Sequence, residues 1–166
     1  MNLHDHNTAS QFRQTWRTGA VAGFIATIPM TIFMLATQPF LPHGQRYDLP
    51  PEIIIKELAH RLHVRYRMSK PQLVTVTLVS HFGYGTTMGV IFGSIGPDTL
   101  PASLVQGSLF GLLIWAASYL GLLPLLGVSA SAHREPAYRN FMMIAAHLLW
   151  GATSGATTSV LKNQHS

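Results

Sequence analysis

The chain has 166 residues, 48% of them hydrophobic and only 10% charged, where ordinary soluble domains carry about 25% charged residues. That length allows one domain, and so little charge excludes a water-covered globule of this size. A net charge of +5 comes with no cysteine, which excludes disulfides, thiolate metal sites and thiol catalysis.

The first eighteen or so residues read as a polar tail. Beyond them the charges leave four empty windows: Arg17 to Arg46, Lys70 to Asp98, Asp98 to Arg134 and Arg139 to Lys162. Each holds the ~20 residues that a helix needs to cross a bilayer core of ~30 Å. The expectation is an all-α polytopic membrane protein forming one domain over residues 1–166. Its four transmembrane helices fall at about 19–41, 72–94, 102–126 and 141–161. Helices are preferred over barrel strands because the windows lack a strict two-residue alternation. The first apolar run is too long for the h-region of a signal peptide, so it is expected to stay as an anchor.

Span one contains Pro29, which neighbouring helices in a bundle can accommodate. Loop one follows, with "PPEIIIKELAHRLHVRYR" predicting a short amphipathic helix over about 51–66. Its apolar Ile54, Ile55, Leu58 and Leu62 recur at helical spacing, and Lys56, Arg61, Arg65, Arg67 and Lys70 supply a basic side for anionic lipid headgroups. Glu57, His60 and His63 do not converge on one metal ion, because steps of three residues turn the outer two about 120° apart. Loop three adds Arg134 and Arg139, against Arg13, Arg17 and Lys162 on the opposite side. The positive-inside rule then puts loops one and three in the cytoplasm and both termini outside. Membrane topology accounts for the basic residues, so no nucleic-acid partner is expected.

Spans two and four share a pattern. "HFGYGTTMG" (81–89) and "HLLWGATSG" (147–155) align His81 with His147, Tyr84 with Trp150, Gly85 with Gly151 and Gly89 with Gly155. "GAVAG" (19–23) and "GSLFG" (107–111) match more loosely. The chain thus reads as two repeated helical hairpins in parallel orientation. Small residues four apart let backbones approach closely where lipid offers no hydrophobic drive. Gly19 and Gly23 supply that seam in span one, Gly85, Gly89 and Gly93 in span two, Gly107 and Gly111 in span three, and Gly151 and Gly155 in span four.

All six acidic residues lie in tails or loops, so paired-carboxylate catalysis and carboxylate ion coupling have no support, and no enzyme activity is expected. His81 and His147 are the only histidines within the spans, at ~15 and ~11 Å along helices that run the same way. Three readings stand for them. They pin the bundle by hydrogen bonds, with Tyr84 and Trp150 packed one turn away; they ligate a b-type haem as an axial pair; or they line a path for protons or a small solute. A homo-oligomer or a place in a larger membrane complex fits the first.

"QGSLFG" (106–111) and "AHLLWG" (146–151), separated by a proline-containing loop, resemble the YagU-type family of small bacterial inner-membrane proteins. The resemblance covers about the last sixty residues. It implies an inner-membrane location and brings no reaction, ligand or catalytic residue with it; the role expected of the chain as a whole is structural or envelope-related.

Overall fold

A helix of 35 residues, α1 (Leu3–Thr37), opens the computed structural model, which describes residues 3–42, 48, 50–127, 134 and 136–164. The polar stretch is therefore helical from residue 3 to residue 18. It holds no proline or glycine up to Thr18, so nothing in the backbone stops the helix from extending. The helix also runs through Pro29 and ends in a 3-10 turn, Gln38–Phe40, just ahead of Pro42.

Helix α2 (Pro50–Arg61) lies in loop one. It stops short of residue 66 because His63 takes a left-handed backbone conformation (φ 57°), and a separate 3-10 turn follows at Arg65–Arg67. Helix α3 (Lys70–Ile95) starts at a reciprocal cap. Gln72 Oε1 accepts from the Ser69 N–H at 2.8 Å, while Ser69 Oγ accepts from the Gln72 N–H at 3.5 Å.

Helix α4 (Leu100–Ala116) passes into a π-helical stretch, Ala117–Leu122, and the short α5 (Leu123–Leu125). Pro124 has no N–H to offer the Leu120 carbonyl, and widening the turn ahead relieves the clash of its ring. Helix α6 (Ala137–Asn163) closes the chain. It begins four residues earlier than the charge windows suggest, which brings Arg139 into its first turn.

All regular structure among the described residues is helical. Two segments, Arg13–Phe40 and Leu100–Leu125, are long and apolar enough to cross a membrane. Helix α1 packs against α3 on one side and α6 on the other, and α6 packs against α4. The row runs α3–α1–α6–α4 and bends, so that α3 and α4 face each other. Phe92 and Phe110 bridge them with ring centroids 5.6 Å apart.

The glycines sit where backbones meet. A Cβ on Gly23 would lie 2.3 Å from the Gly85 carbonyl oxygen, and one on Gly19 would lie 2.5 Å from that of Gly89. Gly93 approaches the Gly19 Cα to 2.7 Å in the same sense. In the other hairpin, Gly107 meets the Gly151 carbonyl at 2.2 Å, Gly111 meets that of His147 at 2.1 Å, and Gly155 meets that of Ser103 at 2.1 Å. No neighbour at these points is a side chain that could swing aside, so alanine would force the helices apart.

These contacts set a register. Gly19 and Gly23 face Gly89 and Gly85; Gly107 and Gly111 face Gly151 and His147. Aligned by contact, His147 corresponds to Gly85 and not to His81. The matched sequence motifs are thus one helical turn out of step with the matched contacts. That slip places His147 in a helix interface, where it is buried, while His81 lies a turn beyond and stays half-buried.

Beside an apolar core, several hydroxyls are buried while many large apolar side chains face outward. Thr27, Ser103, Ser154, Thr158 and Ser159 are fully buried, while Ile32, Val79, Ile95, Leu109, Leu113 and Phe141 are exposed. At the end opposite α2, Lys162 Nζ donates to the Gly96 carbonyl at 2.8 Å and pairs with Asp98 at 3.0 Å. There Ser159 Oγ also donates to the Asp98 carbonyl at 2.7 Å, tying the α3–α4 turn to α6.

Candidate functional site

A cavity of about 310 Å³ occupies the bend between α3 and α4, on the side nearest loop one. Met30 and Met34 of α1, Met88 of α3, Ile114 of α4, and Leu122 and Leu123 beyond it supply most of its apolar wall. Pro51, Ile54 and Ile55 of α2 close it from the loop side. Both in-span histidines line it, together with Tyr84, Gly85, Ser80, Ser118, Tyr119 and Trp150. No lysine, arginine, aspartate or glutamate is among the lining residues.

His147 is held by its own helix. Its Nδ1 lies 2.8 Å from the Met143 carbonyl one turn back, and Tyr119 stands edge-on to its ring at 5.9 Å between centroids. Only 8% of the residue is accessible. A carbonyl can only accept, so Nδ1 carries the proton and Nε2 of the neutral ring keeps a lone pair. Tyr119 is fixed in turn by its hydroxyl, which donates to Met143 Sδ at 3.4 Å, and by stacking on Trp115.

His81 reaches the same cavity from α3. Its Nε2 is buried and has no hydrogen-bond partner among the described residues, and its ring meets Phe82 edge-on at 6.2 Å. A buried ring nitrogen without a partner is costly in a protein interior, which singles His81 out.

The two aromatic residues paired with the histidines in sequence behave differently. Trp150 is buried, and its Nε1–H donates to Thr27 Oγ1 at 3.2 Å. Thr27 passes the chain on to the Gly23 carbonyl at 2.7 Å. Tyr84 is 44% exposed and also lines the cavity.

Loop one divides its basic residues between two tasks. Lys56 bonds to the Asp48 carboxylate and pairs with Glu52 at 2.7 Å; the bond to Asp48 holds its ammonium above the usual lysine range. Arg61 pairs with Glu57 at 2.7 Å and donates from Nη2 to the Leu126 carbonyl at 2.7 Å, fastening α2 over the end of α5. Arg65 is half-buried, and Arg67 and Lys70 are exposed. Arg46 lies outside the described residues.

Arg139 departs from the sequence expectation. Instead of a loop charge it is a buried side chain in α6, 3% accessible, whose Nη2 donates to the Asp48 carbonyl at 2.6 Å. Asp48 is thereby tied to both α2 and α6. Sequence reasoning missed Met30, Met34, Met88, Ser118 and Tyr119 as site residues. The available signals were the polar Ser118–Tyr119 pair in an apolar run and Pro124 shortly after it.

Residues 16–156 match the model of a family described as "Protein of unknown function (DUF1440)". No curated protein and no solved structure matches the chain.

Proposed function

The chain belongs to the DUF1440 family, and we propose that it is a membrane protein of four spans that holds a small lipid-soluble molecule in the cavity beside His81 and His147. The cavity itself carries the reading. It has the volume class and mostly apolar wall of small-molecule sites, with a few polar groups placed to orient what enters, and it opens among helices whose outer surface suits lipid.

Several features support four crossings and not two. Helices α3 and α6 have 26 and 27 residues, or about 40 Å of helix, enough for a bilayer core. No charged residue lies between Lys70 and Asp98 or between Arg139 and Lys162. Val74, Val79, Ile91 and Ile95 on α3, and Phe141, Leu148 and Val160 on α6, face outward, a surface that water disfavours and lipid accepts. The close glycine contacts and the hydroxyls buried between helices suit helix association in lipid, in both halves of the chain.

The basic residues around α2 favour the cytoplasmic side for the cavity end, with Arg65, Arg67 and Lys70 meeting anionic headgroups. The likeness to YagU-type proteins favours the bacterial inner membrane. On this reading the protein binds and holds and does not catalyse. The experiment is solvent extraction and mass spectrometry of the detergent-purified chain beside Ser118→Trp, which fills the cavity. An organic molecule recovered in stoichiometric amount from the first and lost from the second is expected. Identical extracts from the two would refute it.

A further inference from the structure

We propose that the ligand is neutral and largely apolar, and that its polar end is a hydroxyl that donates its proton to His147 Nε2. This rests on the reading of the cavity as a binding site and adds the chemistry of what it binds.

The tautomer of His147 decides the donor's direction. The Met143 carbonyl fixes the proton on Nδ1, so in the neutral ring Nε2 presents a lone pair. His147 is buried and is one of the residues that line the cavity. A ligand carbonyl, ether or ester has only lone pairs to offer there and leaves Nε2 unpaired. A hydroxyl pairs it.

His81 is the second polar group of the same wall, with Nε2 buried and unpartnered among the described residues. A hydroxyl oxygen has accepting capacity left after donating, so turning the His81 ring toward it in the Nε2–H form pairs the second imidazole as well. A carbonyl pairs only one of the two.

The wall sets the rest of the molecule. With no charged side chain among the lining residues, a carboxylate, phosphate or ammonium would be desolvated without a counter-charge. That counts against a fatty acid, a metal cation and the propionates of a haem. Tyr84, Tyr119 and Trp150 offer ring surfaces, and Met30, Met34 and Met88 offer flexible, polarisable ones. This combination fits a hydroxylated aromatic body.

The test uses 1-naphthol and its methyl ether, 1-methoxynaphthalene, which differ in the donated proton. Binding to the full-length detergent-purified protein is followed by energy transfer from tryptophan, with Ser118→Trp as the background for partition into detergent. Wild type should prefer the naphthol roughly tenfold, the scale of one buried acceptor left unpaired. His147→Phe should bind both probes equally, and His147→Gln, which restores an acceptor, should recover part of the preference.

Equal affinities in wild type would overturn the hydroxyl assignment while leaving the cavity as a binding site; binding of neither probe would overturn both. A preference that survives in His147→Phe would remove His147 from the role. If that variant does not fold, the ¹⁵N shift of His147 Nε2 in wild type serves instead, moving with naphthol and not with the ether. A Soret band that shifts on reduction and vanishes in His81→Ala/His147→Ala would assign the imidazoles to a haem and end the proposal.

Discussion

Trp150 of α6 donates its indole N–H to the hydroxyl of Thr27 on α1 across 3.2 Å. Both residues are buried, and Thr27 in turn donates to the Gly23 carbonyl. The bond links α6 to α1 at the cavity wall, where Gly85 of α3 also packs. The cavity therefore depends on a junction of three helices and not on any one of them.

A double-mutant cycle with Thr27→Val and Trp150→Phe isolates that bond. Interhelical hydrogen bonds in lipid average about 0.6 kcal/mol, and we expect a coupling of that order from thermal or denaturant unfolding in detergent micelles. Zero coupling would show that the indole is held by packing alone.

The glycine contacts give a sharper contrast. Gly23→Ala and Gly111→Ala each push a Cβ to within about 2.3 Å of a backbone oxygen, and overpacking of that kind costs about 1–3 kcal/mol. Gly83→Ala and Gly121→Ala meet nothing within 4 Å and should be neutral, or slightly stabilising through helix propensity. Melting temperatures of the four variants measure the difference. Equal melting temperatures would rule out the close approaches.

The long helices were legible because each holds a long run without a charged residue, although α1 begins well ahead of its run. Several of the glycines spaced four apart do meet a neighbouring backbone, as Gly23 meets the Gly85 carbonyl. The register between seams was not legible. Sequence alignment paired His81 with His147, whereas the backbone contacts pair Gly85 with His147, because motif similarity carries no information about which turn of a partner helix a glycine meets. Helix α2 was visible as an amphipathic segment, but its role over the cavity depends on Arg61 reaching Leu126, 65 residues away. The buried Arg139 read as a loop charge because its partner is a backbone carbonyl, which has no sequence signature.

Helix α2 should loosen when its ties are cut. Arg61→Gln removes the bond to Leu126 and the pair with Glu57. Amide exchange over residues 50–61 is expected to quicken several-fold, with α3 unchanged. Exchange that stays at the wild-type rate would mean that apolar contacts of Ile54 and Ile55 hold the helix by themselves.

The same helix has a defined response to alkali. The Asp48 bond raises Lys56 above its ordinary value of 10.5. A raised folded value means that this contribution is complete below the ordinary value and fades as pH climbs through the raised one. Exposure of the pair reduces its size. Protection of α2 corrected for intrinsic exchange should therefore be level from pH 7 to pH 10. A decline within that interval that Lys56→Met abolishes would contradict the shift.

The proposed four crossings, with the cavity at one end, are directly measurable because the sequence has no cysteine. Single cysteines at Leu62 and Leu125, both exposed near the cavity end, and at Thr99 and Gln164, both exposed at the other, are treated in intact cells with a membrane-impermeant maleimide. Four crossings predict labelling of Thr99→Cys and Gln164→Cys from outside, with Leu62→Cys and Leu125→Cys labelled only after the membrane is broken. Labelling of all four from one side would contradict them.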